Sequence, residues 1–209
     1  MQLVLASNNA KKLVELGALF APLGLRLVAQ RTLGIAEAEE PHPTFIENAL
    51  AKARHAARHV GGAAIADDSG LCVEALGGEP GVASAHFADV ALPSADREAQ
   101  RRVQDEANNR LLLARLAGCV DWRARFVSTL VAVRSPTDPE PLVAVGRWDG
   151  TILEAPLGTG GFGYDPLLFI PALQRTVAAL DASEKNACSH RAMAAQYMLR
   201  LMREAWHLG

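Results

Sequence analysis

The stretch AIADDSG, residues 64–70, runs from apolar residues into two adjacent carboxylates, Asp67 and Asp68. Preceded by Ala63, it reads as a buried β-strand that ends in like charges. Such an ending is costly, because each buried carboxylate needs a partner. Adjacent strand residues point to opposite faces. One of the two acids is therefore expected to face a given site, and the other to cap Gly70 or the turn.

Working outward, LVLA (3–6) reads as a strand, SNNAKK (7–12) as a polar turn and LVELGALF (13–20) as a helix. GLRLVAQ (24–30) is the next strand, and the acidic GIAEAEEPHP (34–43) a loop. TFIENALAKARHAARHV (44–60) reads as a helix, with Thr44 and Glu47 at capping-box spacing. Residues 70–87 are Gly-rich and read as irregular. A charged helix follows over 94–118, with Ser94 as its cap and Gly118 as its stop. Residues 123–133 and 141–150 form a predicted hairpin through the turn RSPTDPE. A last helix runs from about Ser189 to Trp206. Interleaved strands and helices followed by antiparallel strands predict an α/β fold with a mixed sheet. No internal repeat, linker or domain boundary stands out, so residues 1–209 read as one domain.

Composition narrows the function. The 209 residues are 50% hydrophobic with a net charge of −2, which supports a real core and gives no stripe for nucleic acid. No apolar run approaches the roughly 20 residues that span a bilayer, and the N-terminus does not read as a signal peptide. Three dispersed cysteines without C-x-x-C suggest neither a disulfide frame nor a zinc ribbon, and the expected setting is the cytoplasm. Of 21 basic residues only Lys11, Lys12, Lys52 and Lys185 are lysines, and all lie in or beside segments with candidate chemistry. Arginine codon bias accounts for the scarcity, but a compact ammonium is not always replaceable by a guanidinium.

Four segments carry that chemistry. In ASNNAKK, a polar turn opening a helix is suited to phosphate, with Ser7 and Asn9 in the turn and Lys12 in reach of a phosphate oxygen. The plain alternative is an N-cap with surface lysines, and no G-x-x-x-x-G-K-[ST] is present. GTGGFG (158–163) matches G-x-G-x-x-G, but no helix opens after it, so a dinucleotide fingerprint is rejected. Its glycines allow close backbone approach, Tyr164 is a candidate for stacking on a base, and Asp165 for accepting from base or ribose; a tight turn with a core aromatic is the alternative. Carboxylates at 67–68, 37–40 and 47 supply oxygen ligands of the kind Mg²⁺ takes alongside substrate phosphates. In SEKNACSHRAMA (183–194), Lys185, His190 and Arg191 cluster at a helix start, where they either hold a ligand or form a capped first turn.

Together these motifs resemble the inosine triphosphate pyrophosphatase family over nearly the whole chain. LASNNAKKLVEL is similar to its S/T-x-N-x-x-K opening, TFIENALAKARHAA to its F-x-E-N-A helix, and AIADDSGLCVEALGGEPGVASA to its A-x-A-D-D-S-G-L signature. GTGGFGYDPLLFIP and EKNACSHRAMA resemble its two C-terminal motifs. One departure is His86-Phe87, where the family usually carries Arg before an aromatic. The resemblance implies a long central mixed sheet flanked by helices in two lobes, with a substrate cleft between them, and a homodimer. It implies Mg²⁺-dependent hydrolysis of ITP, dITP and XTP to monophosphate and pyrophosphate, clearing deaminated purines from the nucleotide pool. By the same pattern Asp68 is the catalytic base and a metal ligand, with Glu40 as second metal carboxylate and Glu47 as its competitor. Ser7, Asn8, Asn9, Ala10, Lys11 and Lys12 would line the triphosphate, with Lys52 directed at the same phosphates and Ser69 on phosphate or ribose. Phe162, Gly163, Tyr164 and Asp165 would form the base-side wall, closed by Lys185, His190 and Arg191. A pyrophosphatase for other modified nucleotides and a silent nucleotide-binding protein are the alternatives.

Overall fold

The computed structural model describes residues 2–21, 24–91, 93 and 96–208. Among them seven strands form one sheet in the order β2-β1-β3-β4-β5-β6-β7. The strands are β1 (Gln2–Leu5), β2 (Arg26–Ala29), β3 (Ala64–Val73), β4 (Arg123–Val133), β5 (Leu142–Ile152), β6 (Leu168–Ile170) and β7 (Arg175–Thr176). The helices are α1 (Ala10–Phe20), α2 (Phe45–Val60), α3 (Arg97–Leu116), α4 (Ala182–Cys188) and α5 (His190–Trp206).

The sheet is mixed, as the interleaving predicts. β1 pairs in parallel with β2 (Leu3 opposite Leu27) and with β3 (Leu5 opposite Ile65), and parallel neighbours require crossover connections, which α1 and α2 supply. β6 is antiparallel to β5 and to β7.

The chain divides into two compact units. The first comprises residues 1–68, 128–147 and 186–209. Its strand residues sort by alternation. Leu3, Leu5, Ile65, Leu130 and Ala132 pack with Leu16 and Phe20 of α1 and with Ala194, Ala195, Met198 and Met202 of α5. Val4, Ala6, Ala64, Ala66, Val131 and Val133 pack with Ala49, Ala53, Ala56 and Ala57 of α2. The alanines let α2 lie close on the sheet. On the other face Gly146 does the same for α5: a Cβ built there would lie 1.9 Å from the His190 carbonyl oxygen and 2.6 Å from the Ala194 nitrogen.

The second unit comprises residues 69–127 and 148–185. Here the structure corrects the reading of 70–73. β3 does not stop at the acids but continues through Gly70-Leu71-Cys72 to Val73. Leu71 and Val73 are fully buried, and Gly70 admits the segment that folds back on the strand. A Cβ at Gly70 would lie 2.4 Å from both the Gly81 carbonyl and Ser84 Oγ. Ser84 Oγ accepts from the Leu71 N–H at 2.9 Å and donates to the Gly81 carbonyl at 2.6 Å. Irregular structure thus starts at residue 74, as two short 3₁₀ turns, Glu74–Leu76 and Gly81–His86.

Helix ends follow local rules. Thr44 caps α2, accepting from the Glu47 N–H at 3.3 Å, while its hydroxyl donates to Glu47 at 2.6 Å. Ser189 caps α5. The predicted cap Ser94 lies outside the described residues; α3 is capped by Asp96, which accepts from the Ala99 N–H at 2.8 Å. α1 starts at Ala10, three residues earlier than the apolar spacing predicts, because Asn9 caps it.

Candidate active site

Asp67 and Asp68 lie inside β3, not at its end, and the strand alternation sends them to different faces. Each meets its own set of partners within the first unit.

Asp67 is 1% exposed on the face that carries α1 and α5. Its Oδ1 accepts from Ser128 Oγ of β4 at 2.7 Å. Its Oδ2 takes Lys12 Nζ at 2.9 Å and Arg191 Nε and Nη2 at 3.3 and 3.2 Å. Arg191, itself 2% exposed, also reaches Glu15 of α1. Burial on its own would raise the Asp67 pKa, but Lys12, Arg191 and Ser128 outweigh it and hold the carboxyl well below the usual range. Two cations and two carboxylates make this cluster neutral. The expectation that the second acid caps Gly70 or the turn is therefore corrected: Asp67 is the anion of a buried ion cluster.

Asp68 is 6% exposed on the face that carries α2. Its Oδ1 accepts from Lys52 Nζ at 2.8 Å, and Lys52 Nζ also donates to Glu40 Oε2 at 2.9 Å. Asp68 Oδ2 is buried and has no hydrogen-bond partner among the described residues. Burial, with Glu40 nearby, pushes the Asp68 pKa up to about 6, against the opposing pull of Lys52. Lys52 stays firmly protonated despite its burial, because Asp68 and Glu40 flank it. Two carboxylates on one ammonium leave this cluster one negative charge in excess when both are ionised. Glu47 is turned instead to the Thr44 cap.

In the turn before α1, Ser7 Oγ accepts from the Asn9 N–H at 3.2 Å, and Asn9 Oδ1 accepts from the N–H groups of Lys11 and Lys12 at 3.0 and 3.3 Å. The first-turn amides of Lys11 and Lys12 are thus capped by Asn9. Asn8 Oδ1 is buried without a hydrogen-bond partner among the described residues. Ala10 and Lys11 lie on the exposed side of the helix start. His190, the first residue of α5, is buried at 5% exposure.

The second unit holds the glycine loop. Gly158, Gly161 and Gly163 have φ of +93°, +76° and +62°, which glycine adopts without a steric penalty. The Asp165 carboxylate folds back beneath the loop: it accepts from the Phe162 N–H at 2.9 Å and from Lys185 Nζ at 2.8 Å. A Cβ at Gly161 would lie 2.0 Å from that carboxylate. Lys185 Nζ also sits 4.6 Å from the centroid of the Phe162 ring. Tyr164 is 4% exposed and its hydroxyl donates to the Ser84 carbonyl at 3.0 Å. Stacking by Tyr164 is therefore corrected: its ring is a core aromatic, and Phe162 is the half-exposed ring of the loop. Ser69, the first residue of this unit, is half-buried within β3.

Three of the four lysines are thus spent on buried or largely buried carboxylates: Lys12 on Asp67, Lys52 on Asp68 and Lys185 on Asp165. Sequence reasoning missed Ser128 and Glu15. Glu15 stands one helical turn beyond Lys12, a signal that was available; Ser128, within an apolar strand, gave none.

The sequence profile of the Ham1 family matches residues 3–201. A relative from Methylibium petroleiphilum, named dITP/XTP pyrophosphatase, is 70% identical over 206 residues, covering 99% of each chain. One of the same name from Leptothrix cholodnii is 67% identical over 211 residues, covering 100% of each. Among solved structures, a HAM1 protein from Coxiella burnetii superposes with a TM-score of 0.86 at 39% identity, covering 98% of this chain and 100% of that one. The Staphylococcus aureus Ham1 protein gives 0.83 at 33%, covering 98% and 99%. On this evidence the chain belongs to the Ham1 family.

Proposed function

We propose that this protein hydrolyses deaminated purine nucleoside triphosphates (ITP, dITP and XTP) to the monophosphate and pyrophosphate, and so clears them from the nucleotide pool. Two relatives that match the full chain bear the name dITP/XTP pyrophosphatase. The observation that carries the chemistry is the buried, unpartnered Asp68 Oδ2 beside a Lys52-bridged Glu40.

That arrangement fits a hard divalent cation. Among the described residues no three His, Cys, Asp or Glu side chains gather into a complete metal cage. Mg²⁺ does not need one: it takes one or two protein carboxylates, substrate phosphates and water. Asp68 and Glu40 would hold it, and their excess negative charge favours it. When bound, Mg²⁺ neutralises the charge spread over the phosphates.

The chain's own residues supply the rest. The open, buried Oδ2 of Asp68 is the acceptor that can take a proton from a water placed beside it. Asp68 takes that proton, the water oxygen bonds to the α-phosphorus, the α–β bridge breaks, and pyrophosphate leaves. Lys52 fixes the Asp68 carboxylate by its hydrogen bond to Oδ1 and leaves Oδ2 open. On the family resemblance, Ser7, Asn8, Asn9, Ala10 and Lys11 contact the triphosphate, while Lys12, with its Nζ on Asp67, anchors the helix that follows the turn. On the same resemblance, Phe162, Gly163, Asp165 and Lys185 contact the base, with Ser69 and His190 as further substrate residues; Arg191, next to His190, is held on Asp67 and Glu15.

Selectivity follows from the 6-oxo group of hypoxanthine and xanthine, an acceptor where adenine has a donor. Protein donors placed there are left unpaired by ATP, which costs orders of magnitude in rate. The homodimer is proposed on the family resemblance, and the cytoplasmic setting on the dispersed cysteines without C-x-x-C. No helix among the described residues is long and apolar enough to cross a membrane.

The test is a product assay with ITP, dITP, XTP, ATP and GTP, with Mg²⁺ or with chelator. Metal-dependent release of monophosphate and pyrophosphate from the first three is the expected result. Release of diphosphate and phosphate would place the attack at the γ-phosphorus and overturn the role of Asp68.

A further inference from the structure

α3 reads in the sequence as a charged surface helix with no functional residue. Yet two of its side chains grip one residue of the glycine loop. Asp105 Oδ2 accepts from the Gly163 N–H at 2.8 Å, and Asn109 Nδ2 donates to the Gly163 carbonyl at 3.1 Å. Positions 105 and 109 are one helical turn apart and share a face.

The two contacts act on different peptide planes. The N–H belongs to the 162–163 peptide and the carbonyl to the 163–164 peptide. Since each peptide is rigid, pinning both planes fixes φ and ψ of the residue between them. That residue is a glycine at φ +62° with nothing within 4 Å of where its Cβ would be. A turn hydrogen bond from the Asp165 N–H to the Phe162 carbonyl at 3.2 Å spans this glycine, and the two α3 contacts fix the peptide planes on either side of it. Phe162 immediately precedes it, on the side where Asp165 ties the Phe162 N–H and Lys185 covers the ring.

We infer that Asp105 and Asn109 are positioning residues that set the orientation of Phe162 toward the purine base. The inference rests on the proposed function, in which this loop contacts the base. It assigns to α3 a part in substrate affinity without contact to substrate. Because orientation of the base is needed equally in the ground state and the transition state, its loss raises KM and leaves kcat alone.

The experiment compares wild type with Asp105→Ala, Asp105→Asn and Asn109→Ala. It measures kcat and KM on dITP with Mg²⁺, thermal midpoints, and amide hydrogen exchange over residues 158–166 in the substrate-free protein. Asp105→Ala is expected to speed exchange in that loop and raise KM about tenfold, the effect of one charge-assisted hydrogen bond, with kcat within about twofold. Asp105→Asn keeps an acceptor at the same place and should restore most of the affinity. Asn109→Ala, which removes a neutral bond, should raise KM by less. A fall in kcat at unchanged KM, following the thermal midpoint, would mean a structural role only and overturn the inference. So would a KM or a loop exchange rate at the wild-type value in Asp105→Ala. A wild type that turns over no dITP, ITP or XTP overturns the proposed function and this inference with it. Turnover with an indifferent Asp105→Ala overturns this inference alone.

Discussion

Asp67 and Asp68 are neighbours on one strand, both buried, and chemically opposite. Asp67 has three hydrogen-bonding partners of its own in Lys12, Arg191 and Ser128, and its carboxyl sits well below the normal range. Asp68 shares one ammonium with Glu40, keeps one oxygen unpartnered, and its carboxyl sits near 6. Burial pushes both upward, so burial does not decide between them. The difference comes from the local count of opposite charge: a neutral cluster on one face of the sheet, and one with an excess negative charge on the other. A saturated acid holds the fold together, whereas an undersaturated one remains available for a cation and a proton.

The largest effect expected is from Asp67→Ala. It strands Lys12 and Arg191 in the interior, and breaking a buried pair in this way costs on the order of 3–5 kcal/mol. Urea unfolding checks it, and a cost below about 1 kcal/mol would remove the contrast. Asp68→Asn is expected to lower turnover by about 10²–10⁴-fold, the typical contribution of a positioned base, while nucleotide binding by calorimetry persists. An active Asp68→Asn would remove its catalytic role. Next, Glu40→Gln should raise the Mg²⁺ concentration for half-maximal activity about tenfold, and Glu47→Gln, which touches only the Thr44 cap, far less. The reverse result would exchange their roles.

The smallest effect is in pH dependence. The Asp67 carboxyl lies below its unfolded value near 4. Its stabilisation is present above that value and is lost only as the pH falls through the still lower folded value, so it is flat between pH 7 and 5. The Asp68 carboxyl lies above its unfolded value, so its favourable contribution is full below about pH 4 and lost as pH rises through about 6. In chelator, stability measured as wild type minus Asp68→Asn should therefore increase by roughly 1 kcal/mol from pH 7 to pH 5. An equal slope for wild type and variant would place the Asp68 carboxyl in the ordinary range.

Much of this was legible in the sequence, for local reasons. Alternation along 64–68 announces that only one of the two acids can face a given site. The Thr44–Glu47 spacing announces the cap that occupies Glu47. The apolar rows of 3–6 and 64–66 place helices on both faces. What escaped notice depends on distance along the chain. Arg191 lies 124 residues from the Asp67 it neutralises, and Asp105 lies 58 from the glycine it holds. The strand runs past its expected end because glycine, which usually weakens a strand, marks at Gly70 the close approach of the Ser84 turn. Tyr164 is not legible because an aromatic beside a glycine loop looks the same in sequence whether it faces a ligand or, as here, the interior.

Gly146 has no charge and belongs to no cluster, yet it sets a clearance. With a Cβ there 1.9 Å from the His190 carbonyl, even alanine would lift the first turn of α5 off β5. Arg191 is the next residue on that turn, and its guanidinium would withdraw from Asp67 with the backbone that carries it. The electrostatics of the buried cluster are therefore governed by a missing methyl group on a neighbouring strand. In mutational terms, position 146 behaves as part of the ion cluster, and a scan restricted to charged residues would pass over it.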